Sequence, residues 1–529
     1  MSSVVDSSVL HPLWYRWGWG VLALMTGLVL LTFPDYGITI DEWTEDVYGR
    51  LLLAWYKTFG ADRRAFAYQD LYLYGGWHTA LVAAVAERLP FSTFETRHLV
   101  GGLTGVMGLA GGWFLARQLL TPRGAFLALV LTAAGPEVFG NLFNNPMDLP
   151  FLTAMTWTTA LTVRMGTDPA GRIRNGALAG LAAGITLGTR IGGLMLFVPV
   201  VVGWSVRLLQ GTVWGKAESP PHLLGRGVIS VAVMAVMAWG VTLLCWPWAL
   251  EAPITHPWQA FRHFTTMPFD LTVPFWGQQV RTTDLPWYYI PGFIAVRAPE
   301  LMGLLLVPAP VLALRRWRKV NVAWAVFLTA LLFPPLYIIV THKVIYDGIR
   351  HLLFLWPLLA IAAAAVLDHL IGHWPRVWRK PALGGLVLYA LFHVGLLVAY
   401  HPYQSIYFNA LAGGLAGAEG RFETDIWAAA VKEAITTLTV RIKTTEGPSA
   451  LQKEYRIYVC LPYRDTTAIM PRAWKDSDDW DDADFVVAPV RFPCPHPITP
   501  WPVLGRVERF GVTLATIVDK RIPVSPKAP

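Results

Sequence analysis

Apolar residues in this chain fall in long blocks, not in the alternating or one-faced patterns of soluble strands and helices. Blocks near 17–33, 97–117, 124–143, 147–166, 175–190, 191–207, 227–248, 293–314, 320–341, 349–370 and 382–400 approach the roughly 20 residues that a spanning helix needs. The pattern predicts a polytopic α-helical membrane protein with about 11 spans. The connections alternate in charge. Arg117/Arg123, Arg164/Arg172/Arg174, Arg207/Lys216/Arg226, Arg315/Arg316/Arg318/Lys319 and Arg376/Arg379/Lys380 mark every second one. Short Lys/Arg-rich loops stay cytoplasmic, which puts the N-terminus inside and everything from His401 outside. The block 71–88 is apolar enough to span, but counting it would invert every later basic loop. It is read as a juxtamembrane helix on the outer interface. The first block starts after Arg16 and lacks a small-residue cleavage site, so it reads as an uncleaved anchor.

Composition supports this picture. Of 529 residues 54% are apolar and 15% charged, against about 25% charged in globular chains. That excludes disorder and a soluble core. The net charge of +8 is largely the orientation signal of the basic loops, so no nucleic-acid partner is expected. Three cysteines are too few for a disulfide scaffold. Cys245 ends a span, whereas Cys460 and Cys494 lie outside, where a bridge is allowed and spacing leaves it open.

The chain divides into a membrane domain, 1–400, with outer loops 34–96 and 249–292, and a tail, 401–529. The second loop is dense in Trp, Pro and His, a composition suited to the headgroup level. In the tail, 427–442 has helical periodicity, and 456–460, 485–490 and 512–518 read as strands, predicting a small extracytoplasmic α/β domain. The acidic run 476–484 reads as a solvated loop.

Polar residues sit at the outer ends of the spans. Asp41 and Glu42 follow the first; Asn144, Asn145 and Asp148 lie between the third and fourth; Arg190 lies between the fifth and sixth. His342, Lys343, Asp347, Arg350 and His351 lie between the ninth and tenth. A transporter keeps its polar groups near the midplane; these span centres are apolar, which favours chemistry at the outer surface. Each residue also has a structural reading. Asp41 and Glu42 suit a cap on a helix dipole, and Asn145 and Asp148 a helix start after Pro146. Arg190 suits a snorkelling arginine, and Arg350 a partner for Asp347. His256, His263, His342 and His401 match no zinc spacing, so no metal is expected.

An acidic pair just beyond the first span resembles the signature of the GT-C superfamily of polyprenyl-phosphate-sugar-dependent glycosyltransferases. Four segments are similar to its bacterial branch, related to the dolichyl-phosphate-mannose–protein mannosyltransferases and the aminoarabinose transferases. They are Phe143-Asn144-Asn145-Pro146-Met147-Asp148-Leu149-Pro150-Phe151, Asp284-Leu285-Pro286-Trp287-Tyr288-Tyr289, Tyr346-Asp347-Gly348-Ile349-Arg350-His351 and His401-Pro402-Tyr403 with Tyr407-Phe408-Asn409. Met147 departs from that branch, which would carry a lysine there.

The resemblance implies an inverting transferase at the outer face of the plasma (inner) membrane. It would take a sugar from a polyprenyl-phosphate donor, with no other cofactor, to a hydroxyl on a protein, lipid or glycan. A phosphate leaves without protonation, so such an enzyme needs one base and some positive charge. Asp41 would be the base, with Glu42 orienting the acceptor or holding the loop. Arg350, Lys343, Arg190 and His351 would meet the donor phosphate, while Asp148 and Asn145 would position acceptor or loop. A flippase for lipid-linked sugars and a non-catalytic glycan-binding scaffold are the alternatives.

Overall fold

The computed structural model describes residues 7–168, 171–213, 220–266, 269–315, 321–461 and 466–522. The membrane part opens with α1 (Ser7–Thr32), followed by α2 (Ile40–Lys57) and α3 (Trp77–Ala86). Next come α4 (Thr93–Leu119), α5 (Pro122–Ala133), α6 (Pro136–Asn144), α7 (Asp148–Thr167), α8 (Arg172–Leu187), α9 (Phe197–Val213) and α10 (Pro220–Cys245). The long connection after α10 holds α11 (Pro247–Glu251), α12 (Thr255–Thr266) and the hairpin β1 (Thr272–Phe275)–β2 (Gln278–Arg281). The helices α13 (Tyr289–Arg297), α14 (Glu300–Leu306), α15 (Ala309–Arg315), α16 (Val322–Thr341), α17 (Leu355–His373) and α18 (Arg376–Tyr400) complete it.

Among the described residues, six helices are long and apolar enough to cross a membrane, and the bent pair α5–α6 adds a seventh if it is one span. Two expected spans are not single helices. Gly135-Pro136 bends 124–143 by 56°, and 293–314 is cut into α13, α14 and α15 at Pro299 and Pro308. Proline removes a helix donor and drives the residue before it to an extended conformation, seen at Ala298 (ψ 137°). The block 71–88 folds as one turn, Leu71–Leu73, and the ten-residue α3, about 15 Å long and too short to span. Of the basic residues used for orientation, Lys216, Arg316, Arg318 and Lys319 lie outside the described residues.

Close helix contacts use small residues. Gly176, Gly180 and Gly184 form one stripe on α8, and a Cβ on each would meet the carbonyl of Ser230, Met234 or Ala238 on α10 at 2.6, 2.5 and 2.6 Å. No larger side chain fits there, so the two backbones touch along the stripe. This seating fixes the C-terminal end of α8, three residues before Arg190.

The tail begins with a buried irregular run that packs under the outer loops. Asn409 Nδ2 donates to the carbonyls of Ala295 (2.6 Å) and Ala298 (2.7 Å), filling acceptors that the break after α13 exposes. Beyond α19 (Gly414–Ala418), α20 (Val431–Glu446) covers a sheet of β3 (Arg456–Val459), β4 (Lys475–Asp476), β5 (Phe485–Pro489), β6 (Val503–Arg509) and β7 (Val512–Asp519). The sheet order is β4-β3-β5-β7-β6, with β3 parallel to β4 and β5 and the remaining pairs antiparallel. Three expected strands match β3, β5 and β7. The expected helix starts four residues late, because Trp427–Ala430 forms a buried turn against the site. Cys460 and Cys494 are joined in a disulfide, closing the question that spacing left open.

Candidate active site

The C-terminal ends of α1, α6, α8 and α16 converge, and the residues that follow them form one ion network. Its centre is Arg350, on the turn between α16 and α17. The guanidinium Nη1 donates to Asp41 Oδ2 at 2.9 Å and lies 3.7 Å from Asp148 Oδ2, while Nε is 3.0 Å from Asp347 Oδ2. The Tyr346 and Trp427 rings flank it at 5.2 and 5.0 Å. Burial opposes the charge on Arg350, but the three carboxylates outweigh it and raise its pKa well above the usual arginine value. Burial raises the Asp347 carboxyl, with Arg350 and Arg491 pulling the other way.

Asp148 starts α7. Its backbone N–H donates to Asn145 Oδ1 at 2.7 Å, which satisfies the first free N–H of the helix, and Asn145 Nδ2 returns to Asp148 Oδ2 at 3.1 Å. The second oxygen of Asp148 meets Arg190 Nη2 at 2.9 Å. Arg190 Nε is buried and has no hydrogen-bond partner among the described residues.

The two adjacent acids face different surroundings. The Asp41 side chain is 31% exposed. Glu42 is wholly buried and closes a capping box at the start of α2: Oε2 accepts from Thr39 N–H (2.7 Å) and Thr39 Oγ1 (2.9 Å). Its other oxygen lies 2.9 Å from His98 Nε2. Glu42 therefore holds the loop that presents Asp41.

Beside the network lies a cleft of ≈ 530 Å³. Arg190, Lys343, Tyr346 and His351 supply its polar lining; Phe151, Phe197, Phe264 and Phe333 are among its apolar walls. Lys343 Nζ donates to Thr265 O at 3.1 Å, tying α12 to this wall. Burial, reinforced by Arg350 and Arg190, pushes the His351 pKa well below its usual value, so the ring enters the cleft neutral. Its Nδ1 is buried without a partner among the described residues. An apolar trough ending in two cations and a neutral imidazole suits a lipid with an anionic head.

The network and cleft thus bring together Asp41, Asp148, Asn145, Arg190, Lys343, Arg350 and His351, and leave Glu42 behind them as a strut. Sequence reasoning missed Arg491 and Glu423 of the tail. Arg491 Nη2 donates to Asp347 Oδ1 at 2.6 Å, and its Nη1 donates to Glu423. No spacing signal connects residues 144 positions apart.

Residues 73–239 match the family model of dolichyl-phosphate-mannose-protein mannosyltransferases. ArnT from Cupriavidus metallidurans in the apo state is 14% identical, with TM-score 0.51 over 94% of this chain and 97% of its own. The chain has a GT-C fold. ArnT bound to undecaprenyl phosphate gives 14% identity and TM-score 0.50 over 95% and 98% of the two chains. The archaeal oligosaccharyltransferase AglB from Archaeoglobus fulgidus is 12% identical, with TM-score 0.45 over 89% and 69%. No curated protein matches by sequence. The GT-C fold accounts for the polytopic membrane part and for the small sheet domain after it.

Proposed function

We propose that this GT-C protein is an inverting glycosyltransferase that moves a sugar from a polyprenyl-phosphate carrier to an acceptor hydroxyl at the outer face of the plasma membrane. The observation that carries the reading is the Asp41–Arg350–Asp148–Arg190 network beside the ≈ 530 Å³ amphipathic cleft. The mannosyltransferase match over 73–239 and the undecaprenyl phosphate bound by ArnT of the same fold support a polyprenyl-phosphate donor. The disulfide in the tail and the basic connections at the opposite helix ends support an outward-facing site.

In this mechanism the prenyl chain lies in the apolar trough and the phosphate meets Arg190 and Lys343, with His351 donating a hydrogen bond. Asp41 takes the acceptor proton as the acceptor oxygen attacks the anomeric carbon. The sugar–phosphate bond breaks with its electron pair on the phosphate oxygen, and the configuration inverts. Arg350 stabilises that charge and fixes the carboxylate that removes the proton. Glu42 takes no part beyond holding the loop.

The test uses purified protein in lipid with radiolabelled polyprenyl-phosphate sugars and a crude envelope acceptor. Sugar-dependent release of polyprenyl phosphate, lost in Asp41→Asn, supports the reading. Transbilayer movement of label without a new glycosidic bond, or binding without turnover for every donor, refutes it.

A further inference from the structure

Four charged groups stand in series from the tail to Asp41. Arg491 lies on the turn just after β5 and donates to Asp347 Oδ1 (2.6 Å); Asp347 Oδ2 meets Arg350 Nε (3.0 Å); Arg350 Nη1 donates to Asp41 Oδ2 (2.9 Å). Asp347 is thus divided between two arginines, one from the membrane domain and one from the tail. Its backbone is left-handed (φ 54°), and Gly348 after it has φ 65°. Aspartate adopts this conformation more readily than most non-glycine residues, and here two guanidiniums hold its carboxylate. On the other side, Trp427 of the tail lies over Arg350 at 5.0 Å and its carbonyl accepts from the Ile40 N–H at 3.4 Å, next to Asp41.

We infer that Arg491 is a positioning residue: it holds Asp347 so that Arg350 points at Asp41, and the site is complete only while the tail is docked. The inference rests on the transferase reading. Without Arg491, the buried Asp347 keeps Arg350 as its one cation. It then either draws the whole guanidinium away from Asp41 or takes up a proton and releases Nε. Both outcomes turn Arg350 within the site. Glu423, the other partner of Arg491, is lifted to about 7 by burial, so near neutral pH much of the Arg491 charge is left for Asp347. Cys494 lies three residues further on and is bonded to Cys460 beside β3, which anchors the Arg491 turn to the sheet.

The experiment is turnover by the full-length protein in lipid, with the donor that wild type uses, for Arg491→Ala, Arg491→Lys and Asp41→Asn. Misplacing a reacting group by about 1 Å costs up to roughly 100-fold in rate. Arg491→Ala should lose roughly 10- to 100-fold in kcat with donor KM little changed. Arg491→Lys should fall between, since one ammonium cannot reproduce the fork to Asp347 and Glu423. Added guanidinium should restore part of the Arg491→Ala rate and none of the Asp41→Asn rate. Wild-type kcat in Arg491→Ala overturns the inference and leaves the transferase reading standing. So does a loss that guanidinium does not reverse and that matches the loss of folded protein. A wild type that turns over no donor overturns the transferase reading itself.

Discussion

Adjacent acids at the start of α2 should separate cleanly under substitution. Asp41→Asn removes the base while the amide oxygen can still accept from Arg350, so folding is kept and turnover falls by roughly 10²- to 10⁴-fold. Glu42→Gln should behave differently. His98 Nδ1 lies 3.2 Å from the Phe33 carbonyl, which can only accept, so Nδ1 carries a proton. A glutamine at 42 can take both Thr39 donors on its oxygen and turn its amide N–H toward His98 Nε2, which accepts when it carries no proton. The cap is kept, and turnover should stay near wild type. Glu42→Ala removes the cap, worth about 1 kcal/mol, and leaves buried polar groups of Thr39 and His98 unpaired at about 1–3 kcal/mol. Together these should cost about 2–4 kcal/mol in denaturant unfolding. The assay is polyprenyl phosphate release in lipid, run beside unfolding for each variant. A folded Glu42→Gln protein as inactive as Asp41→Asn would refute the division of roles.

Three further outcomes follow from the geometry. Arg350→Met strands Asp41, whereas Asp148 keeps Arg190 and Asp347 keeps Arg491; losing the charged hydrogen bond to the partly exposed Asp41 should cost about 1.5–3 kcal/mol in unfolding and weaken donor binding in a titration. Burial lifts the Glu45 carboxyl from its usual 4.5 to about 7, against the pull of Arg97. The folded protein therefore keeps this proton after the unfolded chain has released it, and stability should fall by about 3 kcal/mol as pH rises from about 4.5 through 7. Glu45→Gln should remove that slope, and a pH-independent difference between variant and wild type would count against it. The disulfide closes a loop of sequence separation 34. Cys494→Ser should destabilise the tail by about 4 kcal/mol on the chain-entropy scale, read from tryptophan fluorescence during unfolding.

Much of the membrane domain was legible from the sequence because its causes are local. Runs of apolar residues, proline breakers and terminal caps act within a few turns. The breaks at Pro136, Pro299 and Pro308 follow from the same chemistry, although blocks of apolar composition concealed them. The cluster of polar residues at helix ends was also readable, since charge at a helix centre is costly and collects where water reaches. Asn145 before Pro146 could be read as a helix start, and the helix begins two residues beyond Pro146, at Asp148.

Sequence by itself therefore determined that the chain is a polytopic membrane protein with polar residues gathered at one set of helix ends and a small α/β tail. Only the tertiary structure decided which acid joins the Arg350 network and stays partly exposed. Asp41 and Glu42 are equivalent in type and neighbours in sequence, and a turn of α2 points one outward and seals the other against Thr39 and His98. It also decided the partners of Arg350. Nearby spacing offers Asp347, but packing adds Asp41 and Asp148, and Arg491 from the tail meets Asp347 across 144 residues. Ion-pair choice depends on distance and burial after folding, and neither is written in local composition.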